Sequence, residues 1–388
     1  MTARNGPHRQ HDEVTGVGWA AALRAAAARG ENGMDSLVEG VLTWAPLARA
    51  ELPDVVELRE AIDYLDDVPD AIDLDHLERR YDEALGDPAA DAVVGRDLAG
   101  TIVAYAWNVV RRPAGSQPQV WLDGGVHPGW RHQGIGSHIV AWQLARAEEW
   151  LREARLIDPT LDRLWVGAYV DERVPARSQV MSEAGFAPEH WFHDLRATLG
   201  PDERADLPVV LGTRHGPVRI EAFTDERSEE ARLLHNEVLV GPRARSDGHS
   251  DAPASRDEWE RFLRRPAARP HWSWLALSDG HVVGYVLNSI DTTDVHAPRV
   301  GWTDRLGVAF SWRGLGIATL LLRASHHSFA AAGLDTAGVS VETDDPERDL
   351  GAFRATGYRS VDTVALYSRL LRLDADWSAH WEAPGRLG

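Results

Sequence analysis

The chain of 388 residues contains no cysteine, and all 41 of its basic residues are arginine, so lysine is absent as well. Without cysteine there is no disulfide, no thiolate zinc site and no cysteine nucleophile. Without lysine the Walker phosphate loop is excluded, because its lysine is what reaches the outer phosphates. No run approaches the roughly 18 apolar residues of a membrane span. The N-terminus lacks the cationic start and apolar core of a secretory signal, so the expected compartment is the cytoplasm, with no membrane partner. Basic residues are outnumbered by 60 acidic ones, a formal net charge of -19. Such a surface repels phosphate backbones and argues against a nucleic-acid partner. It leaves two readings open, attraction of a cationic amine substrate or plain solubility.

The length suits two domains of ordinary size. Residues 1–42 read as an N-terminal extension, polar at first and Ala-rich over Trp19–Ala28 before a Gly-Glu-Asn-Gly break. Met34 follows, one of three methionines. Either translation starts there or the preceding stretch is a peripheral helix. From 43 to 200 strand-like and helix-like patterns alternate: a helix over Leu52–Leu65, strands over Ile102–Val110 and Val120–Val126, a long helix over Ile135–Arg155, a strand over Leu164–Val170. Residues 201–217, rich in Pro and Gly, read as a linker. The cycle restarts over 218–371, with a strand over Thr303–Val308, a helix over Gly316–Ala332 and a strand over Ala337–Glu342. Residues 372–388 read as a tail.

One run occurs twice. The first half has Val126-His-Pro-Gly-Trp-Arg131-His-Gln-Gly134-Ile-Gly136; the second has Val308-Ala-Phe-Ser-Trp-Arg313-Gly-Leu-Gly316-Ile-Ala318. The spacing from Val to Trp, Arg and Gly is the same, and each run joins an expected strand to an amphipathic helix. A glycine turn feeding a helix leaves free N–H groups at the positive end of the helix dipole, which suits an anion. Glycines let the main chain approach phosphate, and the arginine adds a charge-assisted donor. The Rossmann fingerprint, which needs Gly-x-Gly-x-x-Gly and an acidic residue about 20 positions on, is met in neither half.

On these runs both halves resemble the GNAT superfamily of N-acetyltransferases, in the tandem two-domain type of which mycothiol synthase is an example; the resemblance covers residues 43–371. It implies an α/β (α+β) fold of two tandem domains, each a twisted, mostly antiparallel mixed sheet flanked by helices. It implies acetyl-CoA as co-substrate, with the pyrophosphate held by Arg313, Gly314, Leu315, Gly316, Ile317 and Ala318, and in the first half by Arg131, Gly134 and Gly136. The preceding strand ends, Leu306, Gly307 and Val308, and Gly124, Gly125 and Val126, would carry the pantetheine and thioester. Asp345 stands where the family has a cofactor-contacting Asn. The activity implied is N-acetylation of a small amine by direct attack, with no acyl-enzyme and no metal, centred on the second half. The first half reads as a degenerate copy, its Gly124-Gly125 pair consistent with drift.

The departures are as specific as the matches. The tyrosine that serves such enzymes as acid is Phe353 in one half and Met181 in the other. These two residues motivate the alternative of a non-catalytic acyl-CoA-binding or sensing protein. The glutamate base of the mycothiol-synthase type is here Trp302. Asp304, two residues along on the same strand face, is the first candidate base, with Glu342 the second and Asp123 its first-half counterpart. The competing role for each carboxylate is pairing with an arginine. Arg243, Arg245, His249 and Trp259 fall in the segment expected to cover the acceptor, and Trp272, Trp274 and Trp302 are candidate pocket walls. His326-His327 lack the companions of a metal site.

Overall fold

The computed structural model describes residues 42–66, 73–112, 117–200, 210–240, 253–290 and 299–373. The extension with Met34, the segment with Arg243, Arg245 and His249, and most of the tail lie outside them. Two compact units result.

The N-terminal unit begins with β1 (Thr43–Pro46), α1 (Leu52–Asp66), α2 (Leu74–Asp82) and a single turn, α3 (Pro88–Asp91). Three strands follow, β2 (Ala92–Arg96), β3 (Ile102–Arg111) and β4 (Gln119–Val126), then α4 (Ile135–Ile157), β5 (Arg163–Asp171), α5 (Pro175–Glu183) and β6 (Ala187–Thr198). Strands β1 to β4 are antiparallel neighbours, and β4 meets β5 in parallel after the α4 crossover. β3 is apolar on both faces because both are covered, by α1 on one side and α4 on the other. Helix α4 lays Ile135, Ile139, Trp142, Trp150 and Leu151 against the sheet, the stripe its sequence period requires.

The C-terminal unit repeats the plan. It holds β7 (Val210–Thr213), β8 (Gly216–Ala222), α6 (Ser228–Val240), α7 (Arg256–Arg264), β9 (Trp274–Ser278), β10 (His281–Ile290), β11 (Val300–Val308), α8 (Ile317–Ala331), β12 (Thr336–Thr343) and the short α9 (Pro346–Asp349) and α10 (Gly351–Ala355). A capping box starts α7: the Ser255 hydroxyl accepts from the Glu258 N–H while the Glu258 carboxylate takes the Ser255 N–H. Strands β7 to β11 are antiparallel neighbours, and β11–β12 is the parallel pair. Each unit therefore has the mixed, mostly antiparallel sheet expected of it.

Two domain boundaries expected from sequence are corrected. Residues 210–217 are not linker: β7 and β8 form a hairpin whose turn places Gly216 at φ 111°. Gly216 serves the turn, and Gly212 is a strand residue paired with Pro217. Nor do the units divide at 200 and 371. Residues 191–198 of β6 pair with β12 of the C-terminal unit, and residues 364–372 of the last strand, β13 (Arg359–Arg372), pair with β5 of the N-terminal unit. Strand periodicity announces a strand and not its neighbour, so local pattern carried no sign of this exchange.

Candidate active site

In each unit the parallel pair opens. β11 bonds to β12 only over Val300–Thr303, opposite Thr336–Val339, although the strands run on to Val308 and Thr343. On that side the main chain of residues 304–308 is unpaired, and Leu306, Gly307 and Val308 line the gap. β4 likewise leaves β5 after Trp121, so Gly124, Gly125 and Val126 lie past the last pair.

Each opened strand runs through one 3₁₀ turn into the repeated loop. Gly314 (φ 72°) and Gly316 (φ 83°) take the left-handed conformation that turns the chain into α8, and Gly316 is its N-cap. In the first unit the same two positions are His132 (φ 61°) and Gly134 (φ 79°). The backbone thus has one shape in both, even where the residue is not glycine. Leu315, Ile317 and Ala318 anchor the second loop by packing into the core beside Val286 and Leu321. Among the described residues no protein acceptor meets the N–H groups of 314–319, and the first α8 bond is Leu320 N–H to the Gly316 carbonyl. Unbonded amides at a helix N-terminus are groups that can receive an anion. The first-unit amides of 132–137 are in the same state. Both motif arginines brace the loop alike, Arg313 Nε donating to the Val308 carbonyl (3.2 Å) and Arg131 Nε to that of Val126 (3.3 Å). Arg131, however, is also gripped by both Asp66 oxygens, at 2.7 and 2.9 Å, and Arg177 joins that carboxylate. The Asp345 side chain acts locally, capping α9 through the Arg348 N–H (3.2 Å) and pairing with the Arg348 side chain.

The units differ most on the sheet face opposite α8 and α4. Between β10 and β11 the register slips: Leu287 faces Arg305 while Asn288 faces Thr303, leaving Asp304 as the extra residue of a β-bulge. The bulge turns consecutive side chains, Asp304 and Arg305, to the same face. Asp304 Oδ1 accepts from Ser289 Oγ (2.9 Å) and from Arg265 (2.6 Å), while its buried Oδ2 has no partner among the described residues. Burial raises its pKa, against the opposing pull of Arg265 and the Ser289 hydroxyl. Arg305 lies over the rings of Phe262 (4.0 Å) and Trp259 (5.4 Å) and donates to His235 Nε2 (3.0 Å). His235 Nδ1 meets the Tyr285 hydroxyl at 2.7 Å. Burial, then the Arg305 charge, lower the His235 pKa to about 4, so the ring is neutral at pH 7. Glu342 is exposed on β12, on the far wall of the gap.

The corresponding face of the first unit is closed. β3 and β4 pair without a bulge from Ala104–Val126 to Arg111–Gln119. Counted back from the strand Val, Asp123 matches Arg305 and not Asp304, so the expected equivalence of Asp123 and Asp304 is one residue out. Asp123 is clamped by Arg59 (2.9 Å), Arg80 and the Tyr105 hydroxyl (2.8 Å). Burial alone would raise its pKa, but the two guanidiniums hold it far below the ordinary carboxylate range. It is no base.

Other expectations need correcting. Gly125 is not drift: it faces Tyr105 across the strands as Gly307 faces Tyr285, and a Cβ on Gly125 would meet Tyr105 at 3.0 Å and Ile62 at 2.6 Å. Trp272 and Trp274 line no acceptor pocket, since Trp272 packs edge-on to Phe329 of α8 and Trp274 Nε1 donates to Ser328 of α8. Trp302, under the Arg196 guanidinium at 4.6 Å, does face the other side. Phe353 and Met181 are both buried. His326 is buried against Tyr358, and no metal-holding group occurs among the described residues. The residues missed from sequence are His235, Tyr285 and Arg305. Their signal was the Gly-Val that ends both β4 and β11, each glycine opposed by a strand tyrosine. A cavity of about 380 Å³ is lined by His193, Phe353, Arg354 and Tyr358.

Residues 233–358 match the family model described as the acetyltransferase (GNAT) family. No curated protein matches the chain. Among solved structures, the GCN5-related N-acetyltransferase from Sphaerobacter thermophilus is similar at 22% identity, over 86% of this chain and 96% of that one, with a TM-score of 0.52. A tandem GNAT protein from the clavulanic acid biosynthesis pathway, 17% identical, covers 85% and 98% with a TM-score of 0.42. No helix among the described residues is long and apolar enough to cross a membrane.

Proposed function

We propose that the chain, residues 233–358 of which match the GNAT acetyltransferase family model, transfers an acetyl group from acetyl-CoA to the amine of a small molecule in the C-terminal unit. The observation that carries this reading is the opened β11 edge running into six unbonded amides at the head of α8. The amides of 314–319, with Arg313, suit the diphosphate of the thioester donor, and the unpaired main chain of 306–308 suits its amide-bearing arm.

Asp304 is the candidate base. It sits on the bulge with one oxygen unsatisfied, and its raised pKa suits it to accepting an ammonium proton. Glu342 is a second carboxylate on the opposite wall. With no cysteine in the chain, the amine attacks the thioester directly. In the N-terminal unit the face that would admit an amine is filled by the Asp123 network, so that unit is a non-catalytic copy.

Calorimetry with acetyl-CoA tests the binding claim and counts sites. Thiol release with a panel of small amines tests turnover. A chain that ignores acetyl-CoA ends the proposal. Phe353, without a hydroxyl, favours a second reading as a non-catalytic acyl-CoA binder; stabilisation by acetyl-CoA with no thiol release from any amine would establish it.

A further inference from the structure

We propose that the Tyr285 hydroxyl is the proton donor to the departing sulfur, a role the chain has moved from Phe353 to a strand residue. This rests on the acyl-transfer reading above and names a residue for it.

The argument starts from His235. Its two ring nitrogens are both engaged, Nε2 with Arg305 and Nδ1 with Tyr285. A guanidinium has donors only, so Nε2 must be the acceptor and the ring proton must sit on Nδ1. Nδ1–H therefore donates to the Tyr285 oxygen. The phenol accepts that bond, and its own O–H has no acceptor among the described residues. Tyr285 is 1% exposed, so a hydroxyl proton left unmatched there is costly unless something else receives it.

Its position names the receiver. Tyr285 faces Gly307 across β10 and β11, and the hydroxyl lies 3.0 Å from where a Gly307 Cβ would be. Only glycine admits the phenol this close to the main chain, and Gly307 is in the unpaired stretch that would carry the thioester. Tyr105 supplies the internal contrast. It occupies the same place opposite Gly125, but its hydroxyl meets the Asp123 carboxylate. One unit consumes the phenol's proton and the other presents it.

The groups packed around Tyr285 fit the step. His235 and Trp259 approach from α6 and α7, and Arg305 from β11. As the amine nitrogen bonds to the carbonyl carbon and the C–S bond breaks, Tyr285 passes its proton to sulfur. His235 Nδ1–H and the Arg305 charge behind it hold the resulting phenolate. Asp304 takes the ammonium proton and releases it to solvent, and the second proton, shed by the nitrogen as the amide forms, returns to the phenolate and restores the phenol.

The test uses the full chain carrying Tyr285→Phe, which keeps the ring, with Tyr105→Phe as the control. Two quantities are read: kcat with acetyl-CoA and an amine, and the ionisation of the coenzyme A thiol in the binary complex, from thiolate absorbance against pH. For Tyr285→Phe, kcat falls about 100-fold with an unchanged KM for acetyl-CoA, and the bound thiol titrates about one unit higher. Tyr105→Phe moves neither. A Tyr285→Phe chain that binds coenzyme A, titrates it as the wild type does and keeps its kcat overturns the assignment while leaving acyl transfer intact. A wild type that binds no coenzyme A at all removes both.

Discussion

A neutral histidine wedged between an arginine and a phenol leaves a mark on stability. The folded pKa of His235, about 4, lies below the 6.5 of an unperturbed histidine. As pH falls through that window the unfolded chain takes up a proton that the native ring refuses, so native stability is present above pH 6.5 and is lost toward pH 4. Its size is about 3 kcal/mol for a shift of this extent. His326, buried near Arg323, has the same lowered value. Replacing His235 by Gln should thus remove about half of the acid loss these two create. Thermal melts at pH 7, 5.5 and 4.5 check it, and parallel acid slopes in variant and wild type would show that His235 titrates normally.

At the scale of elements, the repeated loop was legible because its chemistry is local. Glycine, arginine and helix start are fixed by a few neighbouring residues, and the left-handed turns at 314 and 316 appear where the motif placed them. Helices α1, α4 and α8 and strands β3, β4 and β5 agree with their expected bounds to within two residues. Asp304 was singled out by alternation along β11, which holds as far as that residue. The bulge there was not legible, since it depends on how β10 and β11 register, and it is what adds Arg305 to the same face. The His235–Tyr285–Arg305 cluster drew on three elements distant in sequence and escaped for the same reason. The bulge also sharpens a prediction. Asp304→Asn keeps the shape and the Ser289 contact but cannot take a proton, so kcat/KM for the amine should fall about 100-fold. The acidic limb of the rate profile should also flatten, while the melting shift caused by acetyl-CoA stays. A variant with an unaltered limb would move the base elsewhere, with Glu342 next in line.

Across the whole chain, the exchange of strands makes each unit depend on residues from the other half of the sequence. Residues 364–372 complete nine consecutive pairs with β5, from Val364–Asp171 to Arg372–Arg163. Residues 191–198 make eight consecutive pairs with β12, from Trp191–Thr343 to Thr198–Thr336. An N-terminal piece ending at 200 would keep α4 and β1 to β5 but expose the unpaired N–H and C=O row of β5, together with the apolar side chains of Leu164, Val166 and Val170. An exposed, apolar edge of that length favours association with other chains. A fragment of residues 1–200 is therefore expected to aggregate. Attaching residues 359–373 behind a flexible linker should return it to a soluble, cooperatively melting form, because the added segment satisfies the same edge. The C-terminal fragment 201–388 is the reciprocal case, lacking the strand that covers β12 and carrying β13 without β5. If fragment 1–200 melts cooperatively as a monomer with no added strand, the pairing of β5 with β13 is dispensable and the halves are independent domains, as the sequence pattern alone had implied.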